Sequence, residues 1–415
     1  MITNYKVSHR GGPIRGRIHI SGSKSISNRA LILNALSPSP KEIFNLSDSD
    51  DTQILQRLLN QKDKLYDAHH AGTTFRFMTA FLALQKGEQI LTGSERMQQR
   101  PIGPLVKALN EIGADISFQN KDGFPPLIIK EFRTQKESEI SMRSDISSQF
   151  LSALCMIAPT LEKGIQLHLE GNIVSRPYLN MTLEMMRDFG VESSYEGATI
   201  NIEPQKYRSL EYRVESDWSS ASYLFEIVAL SDNAELELTY FTDKNLQADA
   251  ELKDFCYQFG VAAELDDEVL LIKSTNRHYK EIEHNFIQHP DLTQTIAVIC
   301  AGKGISIKYR GLKTLHIKET DRVAALRNEL GKVGVRLELY QDENFEYSQS
   351  GIAQLSHPHF NTYDDHRMAM CLAPLGYISP VIIRNPEVVS KSYPKYWENL
   401  RQLGFLVERI DVESI

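Results

Sequence analysis

With a net charge of −8 over 415 residues, 41% apolar and 24% charged, the chain reads as a soluble globular protein too long for one ordinary core. The acidic balance excludes a nucleic-acid binder, which needs a basic face, but leaves room for a local cluster of cations around a small anion. No apolar run reaches bilayer length, and the N-terminus meets a patterned strand within a few residues, leaving no room for a leader, so a cytoplasmic protein without membrane partners is expected.

Taken in chain order, six segments share one pattern, a polar turn followed directly by a small apolar helix. They are Gly22-Ser23-Lys24-Ser25 before Ala30 to Leu36, Ala71-Gly72-Thr73-Thr74 before Phe75 to Leu84, and Ser144 to Gln149 before Phe150 to Ala158. Then come Ser216 to Ser220 before Ala221 to Leu230, His289-Pro290-Asp291 before Leu292 to Ala301, and Asp364-Asp365-His366-Arg367 before Met368 to Tyr377. From the second onward they start at 71, 144, 216, 289 and 364, in steps of 73, 72, 73 and 75; the first step, from 22, is only 49. In phase with them, amphipathic helices end at Gly113, Gly190, Gly260, Gly334 and Gly404, where glycine suits a left-handed helix cap.

Between the two series lie alternating strands such as Ile165-Leu167-Leu169, Leu236-Leu238 and Ile305-Ile307-Tyr309. A period near 70 fits a β-α-β-α-β-β unit repeated six times. Helices such as Phe150 to Ala158, Thr295 to Cys300 and Met368 to Pro374 are apolar on nearly every side and so are buried all round, while the alternating sheets can keep one face in water. An α/β protein with helices inside and sheets outside, three repeats per domain, is the architecture these patterns predict. The phasing disfavours the commoner doubly wound α/β sheet. Cys155, Cys256, Cys300 and Cys371 lie far apart in apolar stretches and read as reduced, packed thiols.

Each polar turn opens a helix, where backbone N–H groups and the helix dipole favour an anion. Serine capping explains such turns singly. It does not explain Lys24 and Arg29 near the positive end of one helix. Lys318-Glu319-Thr320-Asp321-Arg322 is expected to open another helix, with Lys318 and Arg322 on one face. Arg367, Arg100 and Lys391 add cations expected at helix starts. His69-His70 and His357-x-His359 lack the partners and spacing of a metal site and read as structural or surface features, so no metal is expected.

These segments, in this order, resemble the enolpyruvyl transferase family, and within it the 5-enolpyruvylshikimate-3-phosphate (EPSP) synthases. The resemblance runs over nearly the whole chain. Its most specific parts are Gly22 to Arg29, Ala71-Gly72-Thr73, Arg100-Pro101-Ile102-Gly103, Ser147-Ser148-Gln149-Phe150, Lys318 to Arg322 and Asp365-His366-Arg367. It implies a two-domain inside-out barrel, each domain of three β-α-β-α-β-β repeats, with 1–21 plus 216–415 in one domain and 22–215 in the other.

The activity implied is transfer of the enolpyruvyl group of phosphoenolpyruvate to the 5-hydroxyl of shikimate 3-phosphate, releasing phosphate, on the shikimate pathway to chorismate and the aromatic amino acids. The resemblance gives shikimate 3-phosphate to Ser25, Arg29, Ser147, Ser148, Gln149, Ser175, Tyr178, Asp291 and Lys318. It gives phosphoenolpyruvate to Lys24, Gly72, Arg100, Gln149, Arg322, Arg367 and Lys391. Asp291 is the implied base, and Glu319, with Lys24, the implied acid. Neither metal nor organic cofactor is implied, and a monomer is the default.

The chain departs from the family pattern in places. The interval from Lys24 to Gly72 is about a strand pair short, His69-His70 stands where Gly-Asn is common, Thr314 where Asn is frequent, and Phe77 where many members have Pro. Gly72 is retained, which implies sensitivity to glyphosate. The sister activity on UDP-N-acetylglucosamine is disfavoured by Lys24-Ser25 in place of Lys-Asn and by the lack of a loop cysteine. A non-catalytic scaffold is disfavoured because Lys24, Arg100, Asp291, Glu319, Arg322, Arg367 and Lys391 are all present.

Overall fold

The structure is a computed structural model that describes residues 3–143, 147–171, 176–244, 246–275, 277–341, 346–351 and 353–410. The chain forms two compact units, Met1–Ser21 with Glu215–Ile415, and Gly22–Val214. Glu215 belongs to the first because its carboxylate is tied there, accepting from Trp218 Nε1 at 3.1 Å, Thr242 N at 3.0 Å and Gln247 Nε2 at 2.8 Å.

Among the described residues, the first unit holds three four-stranded sheets of one design. In each, an edge strand runs parallel to its neighbour and two antiparallel strands follow. Glu281–Asn285 pairs parallel with Ser306–Arg310, which pairs antiparallel with Glu346–Ser350 and that with Arg336–Gln341. Ile14–His19 begins the same series with Ala234–Thr239, Val269–Ser274 and Val261–Asp266, and His359–Phe360 with Val381–Arg384, Asn4–His9 and Phe405–Ile410.

In the second unit, Leu65–Asp67 and Glu139–Arg143 open two more such sheets. Among the described residues, the third sheet there is only the parallel pair Ile43–Phe44 with Tyr212–Arg213. Helix Asp50–Leu59 runs on to strand Leu65–Asp67 with no strand between them, so the antiparallel pair is absent from the interval that is short in the sequence.

Along the chain, Leu65–Asp67, Glu139–Arg143 and Glu281–Asn285 are each followed by an apolar helix, a strand, an amphipathic helix and two strands. The apolar helices form because small and aliphatic residues occupy every face. In Ser148–Ile157 all but Gln149 are buried, and His366–Leu372 is buried throughout. At about 1.5–3 kcal/mol for each large aliphatic or aromatic side chain, this burial is the main favourable contribution to each unit. The sheets alternate as expected: Ile165, Leu167 and Leu169 are buried, while outward residues form exposed cross-strand ion pairs such as Lys273–Glu235 at 3.2 Å.

The glycines at 113, 190, 260, 334 and 404 all have positive φ at the ends of the amphipathic helices. The sixth such helix, Asp50–Leu59, ends at Asn60 in the right-handed region, so no glycine marks it in the sequence. All four cysteines are buried and unpaired with one another.

Candidate active site

In the Gly22–Val214 unit, helices Lys24–Leu36, Gly72–Ala83, Ser148–Ile157 and Arg176–Asp188 pack on one another. Arg29 lies at their meeting point, 2% exposed. Its Nε donates to Thr182 Oγ1 at 2.7 Å, Nη1 to the Ser25 carbonyl at 2.8 Å, and Nη2 to Ser152 Oγ and the Tyr178 carbonyl, both at 3.2 Å. The guanidinium also lies over the Phe77 ring, 5.4 Å from its centroid. Burial lowers its pKa to about 10, with Tyr178 acting in the opposite direction, so it remains charged at neutral pH. These partners are all neutral. A cation removed from water and held by neutral oxygens has the charge to attract an anion.

The helix starts around it point the same way. Ser23, Ala71 and Ser147, which precede the first three apolar helices, make no side-chain cap hydrogen bond, so capping does not use up the first N–H groups of those helices. Lys24, Gly72 and Ser148 are the first residues there. Gln149 donates to Thr73 Oγ1 at 3.0 Å. Arg100 folds over Gly72 so closely that a Cβ at that position would overlap its guanidinium and lie 2.9 Å from Arg76 Nη1.

The other unit carries a cluster of charges. Arg322, 1% exposed, reaches three carboxylates: Nε to Asp365 Oδ2 at 2.8 Å, Nη1 to Asp291 Oδ1 at 3.0 Å and Nη2 to Glu319 Oε2 at 2.9 Å. Arg367 Nη2 meets Asp291 Oδ2 at 2.9 Å, and Lys391 Nζ meets Glu319 Oε1 at 3.1 Å. Burial on its own would raise the Asp291 carboxyl, but Arg367, Lys318 and Arg322 outweigh it and hold the group well below the usual carboxylate range. For Lys318, removal from water lowers the ammonium, with Asp291 opposing. Arg367 is steadied by Tyr223 Oη and the Asp291 carbonyl, each accepting from Nη1 at 3.3 Å.

Two expectations of local structure are corrected. Lys318 and Arg322 do not share a helix face. Lys318 follows the 3-10 turn Lys313–Ile317, Asp321 caps the helix Arg322–Gly331 by accepting from Ala324 N, and Arg322 is only its first residue. Lys391 is not at a helix start but ends the 3-10 turn Pro386–Lys391, where terminal carbonyls favour a cation.

In one unit, then, Arg29, Ser25 and Tyr178 are brought together, as are Gly72 and Arg100; in the other, Asp291, Lys318, Glu319, Arg322, Arg367 and Lys391 are gathered. Ser147 and Ser148 stand at the start of their helix, and Ser175 lies outside the described residues. Asp365, Ser152, Thr182 and Thr73 were not singled out from the sequence as site residues. For Asp365 a signal existed: it caps the helix His366–Leu372 by accepting from Arg367 N at 2.9 Å, within a motif already noted.

Comparison with known proteins places the chain in a family. Residues 9–61 and 54–400 match the family described as EPSP synthase (3-phosphoshikimate 1-carboxyvinyltransferase). A 3-phosphoshikimate 1-carboxyvinyltransferase of Bacteroides fragilis is 44% identical over 394 residues, 94% of this chain and 96% of that protein. One from Vibrio campbellii is 34% identical over 421 aligned residues, covering 94% and 97%. Among solved structures, an EPSP synthase from Acinetobacter baumannii shares the fold with a TM-score of 0.82 over 99% of this chain and 100% of that one, at 18% identity. The chain belongs to the EPSP synthase family and is an enzyme of the 3-phosphoshikimate 1-carboxyvinyltransferase class.

Proposed function

We propose that the chain transfers the enolpyruvyl group of phosphoenolpyruvate to the 5-hydroxyl of shikimate 3-phosphate, and that the residues described above divide that work. The observation that carries the reading is that the proposed base and acid, Asp291 and Glu319, are the partners of Arg322, Arg367 and Lys391. Phosphoenolpyruvate is a compact trianion. It draws on those three cations, with Lys24, Gly72, Arg100 and Gln149 completing its set, and so loosens their hold on both carboxylates. Asp291, no longer held so far down, becomes basic enough to take the proton from the attacking hydroxyl. Glu319 must give up its ion pairs with Arg322 and Lys391 before it can carry a proton to the methylene carbon, with Lys24 assisting.

The C–O bond forms as the methylene becomes a methyl, giving a tetrahedral ketal phosphate. A methyl proton and the phosphate then leave, and the enol ether double bond returns. Shikimate 3-phosphate is bound by Ser25, Arg29, Ser147, Ser148, Gln149, Ser175, Tyr178, Asp291 and Lys318, the hydroxyls and amide serving ring oxygens and the cations serving anionic groups.

We read each unit as three β-α-β-α-β-β copies forming an inside-out barrel, the copy with the two-stranded sheet being truncated. The enzyme is read as a cytoplasmic monomer; no helix among the described residues is long and apolar enough to cross a membrane. The deciding experiment is phosphate release from phosphoenolpyruvate with shikimate 3-phosphate or UDP-N-acetylglucosamine as acceptor. Release with the first alone is expected, and release only with the second would overturn the reading. Glu319→Gln should lower kcat at least about a hundredfold while leaving shikimate 3-phosphate affinity within a few-fold. Equal losses in both would remove Glu319 from the acid role.

A further inference from the structure

His316 lies in the 3-10 turn Lys313–Ile317, shortly before Lys318 and Glu319, and no step above uses it. Its ring joins two parts of the same unit. Nδ1 stands 2.9 Å from Asp321 Oδ2, a carboxylate oxygen that accepts, so Nδ1 carries the hydrogen. The neutral tautomer and the imidazolium both supply that donor. On the other edge of the ring, Nε2 stands 3.3 Å from Tyr347 Oη, with the two ring centroids 6.1 Å apart. Tyr347 is buried on strand Glu346–Ser350, where it pairs with Tyr309 on one side and Leu339 on the other. A strand held on both sides is the firm end of this series of contacts. Asp321 is the other end. While Oδ2 meets His316, Oδ1 accepts from Ala324 N at 3.0 Å and caps helix Arg322–Gly331.

We propose that His316 is a positioning residue for the transfer: by tying Asp321 to the sheet it closes the loop of residues 317–320 and fixes Lys318 and Glu319 within it. The proposal rests on the assignment of Lys318 to shikimate 3-phosphate and of Glu319 to the acid role made above. Lys318 and Glu319 belong to neither the 3-10 turn before them nor the helix after them, so those elements set only the ends of the segment. A side-chain contact between residues five apart, one at each end, removes conformational freedom from what lies between. The arginine that follows needs no such help. Asp291 and Asp365 hold the Arg322 guanidinium from other elements at 3.0 and 2.8 Å. Opening the latch is therefore felt at Lys318 and Glu319, where a small displacement of a binding or proton-carrying group is costly, while Arg322 keeps its place.

Steady-state kinetics of the full-length enzyme, with urea unfolding of the same variants, separate this role from a contribution to stability alone. His316→Ala should lower kcat about tenfold and raise the KM for shikimate 3-phosphate several-fold, with the KM for phosphoenolpyruvate within about twofold of wild type. Asparagine places an amide N–H where Nδ1 stands, whereas the glutamine amide reaches to where Nε2 stands. His316→Asn can still donate to Asp321 and should bring kcat back to within about threefold of wild type. His316→Gln keeps a partner for Tyr347 but none for Asp321, and should stay as slow as His316→Ala. A residue that only stabilised the fold would lower the urea midpoint and leave these constants alone, so a wild-type kcat in folded His316→Ala overturns the proposal. If that variant does not fold, equal kcat in His316→Asn and His316→Gln overturns it instead. Unchanged shikimate 3-phosphate affinity in Lys318→Met, beside a slow His316→Ala, would refute the assignment of that lysine and leave the latch acting through Glu319.

Discussion

At Gly72 a single methyl group decides how an arginine lies. The Cβ of an alanine would overlap the Arg100 guanidinium and press on Arg76 Nη1, so Arg100 must swing away from the helix start it covers. Gly72→Ala should therefore raise the KM for phosphoenolpyruvate by about tenfold, roughly one charge-assisted hydrogen bond, and leave that for shikimate 3-phosphate nearly unchanged. The wild-type enzyme should be inhibited by glyphosate competitively with phosphoenolpyruvate, and the variant less so; steady-state inhibition assays measure both. Arg29 makes the complementary case. Arg29→Lys keeps a charge but loses the fork that reaches Thr182, Ser152 and two carbonyls, and should weaken shikimate 3-phosphate binding by about a hundredfold. A change below threefold in a direct titration would contradict that. The cations gathered in each unit stood out in the sequence because they sit in short motifs beside polar turns, although Lys318 and Lys391 are not at helix starts. Their supports did not. Ser152 and Thr182 are ordinary helix residues until packing sets Ser152 Oγ 2.8 Å from Thr182 Oγ1 and both against Arg29. Phe77, noted only as a departure, proves to be the ring beneath that guanidinium.

Elements were legible wherever a local signal was strong. Apolar helices announced themselves by lacking a polar face, and five amphipathic ones by a terminal glycine that accepts positive φ. Asp50–Leu59 ends without one and escaped notice. Lys318 and Arg322 misled because a spacing of four suggests one helix face, whereas the Asp321 cap starts the helix only at Arg322. Asp365 shows how one residue can serve an element and the site together. One oxygen accepts from Arg367 N at the start of helix His366–Leu372, and the other takes Arg322 Nε. Asp365→Ala removes the cap and leaves a buried arginine short of a counter-charge, so stability should fall by about 3–5 kcal/mol in urea. Asp365→Asn can still accept at the cap and should fall less. Equal losses would mean that the charge, rather than the cap, carries the effect.

For the molecule as a whole, pH is the variable that several buried groups answer together. His284 is packed among Phe255, Phe286 and His289, with ring centroids 4.5, 4.6 and 5.7 Å away. Burial, then the neighbouring His289, lower its pKa to about 4. The folded histidine stays neutral where the unfolded one, near 6.5, binds a proton. Its contribution is thus present above pH 6.5 and lost as pH falls towards 4, on the order of 2–3 kcal/mol. Glu226 acts in the opposite sense. Wholly buried, with neither oxygen hydrogen-bonded among the described residues, it is raised well above the ordinary value by burial. The stability it permits is present below about pH 4.5 and lost as pH rises. His284, Phe255, Phe286, His289 and Glu226 all belong to the unit of Met1–Ser21 and Glu215–Ile415, and so do both tryptophans, Trp218 and Trp397. Tryptophan fluorescence therefore reports the unfolding of that unit alone. Followed in urea from pH 4 to 8, wild type should show a stability maximum. His284→Phe should flatten the acid side, and Glu226→Gln should stabilise the neutral side by about 1–3 kcal/mol while leaving the acid side in place. If both variants kept the wild-type profile, the pH response would have to arise from groups outside this core. The carboxylate of Asp291, held by Arg322 and Arg367, would be the first to examine.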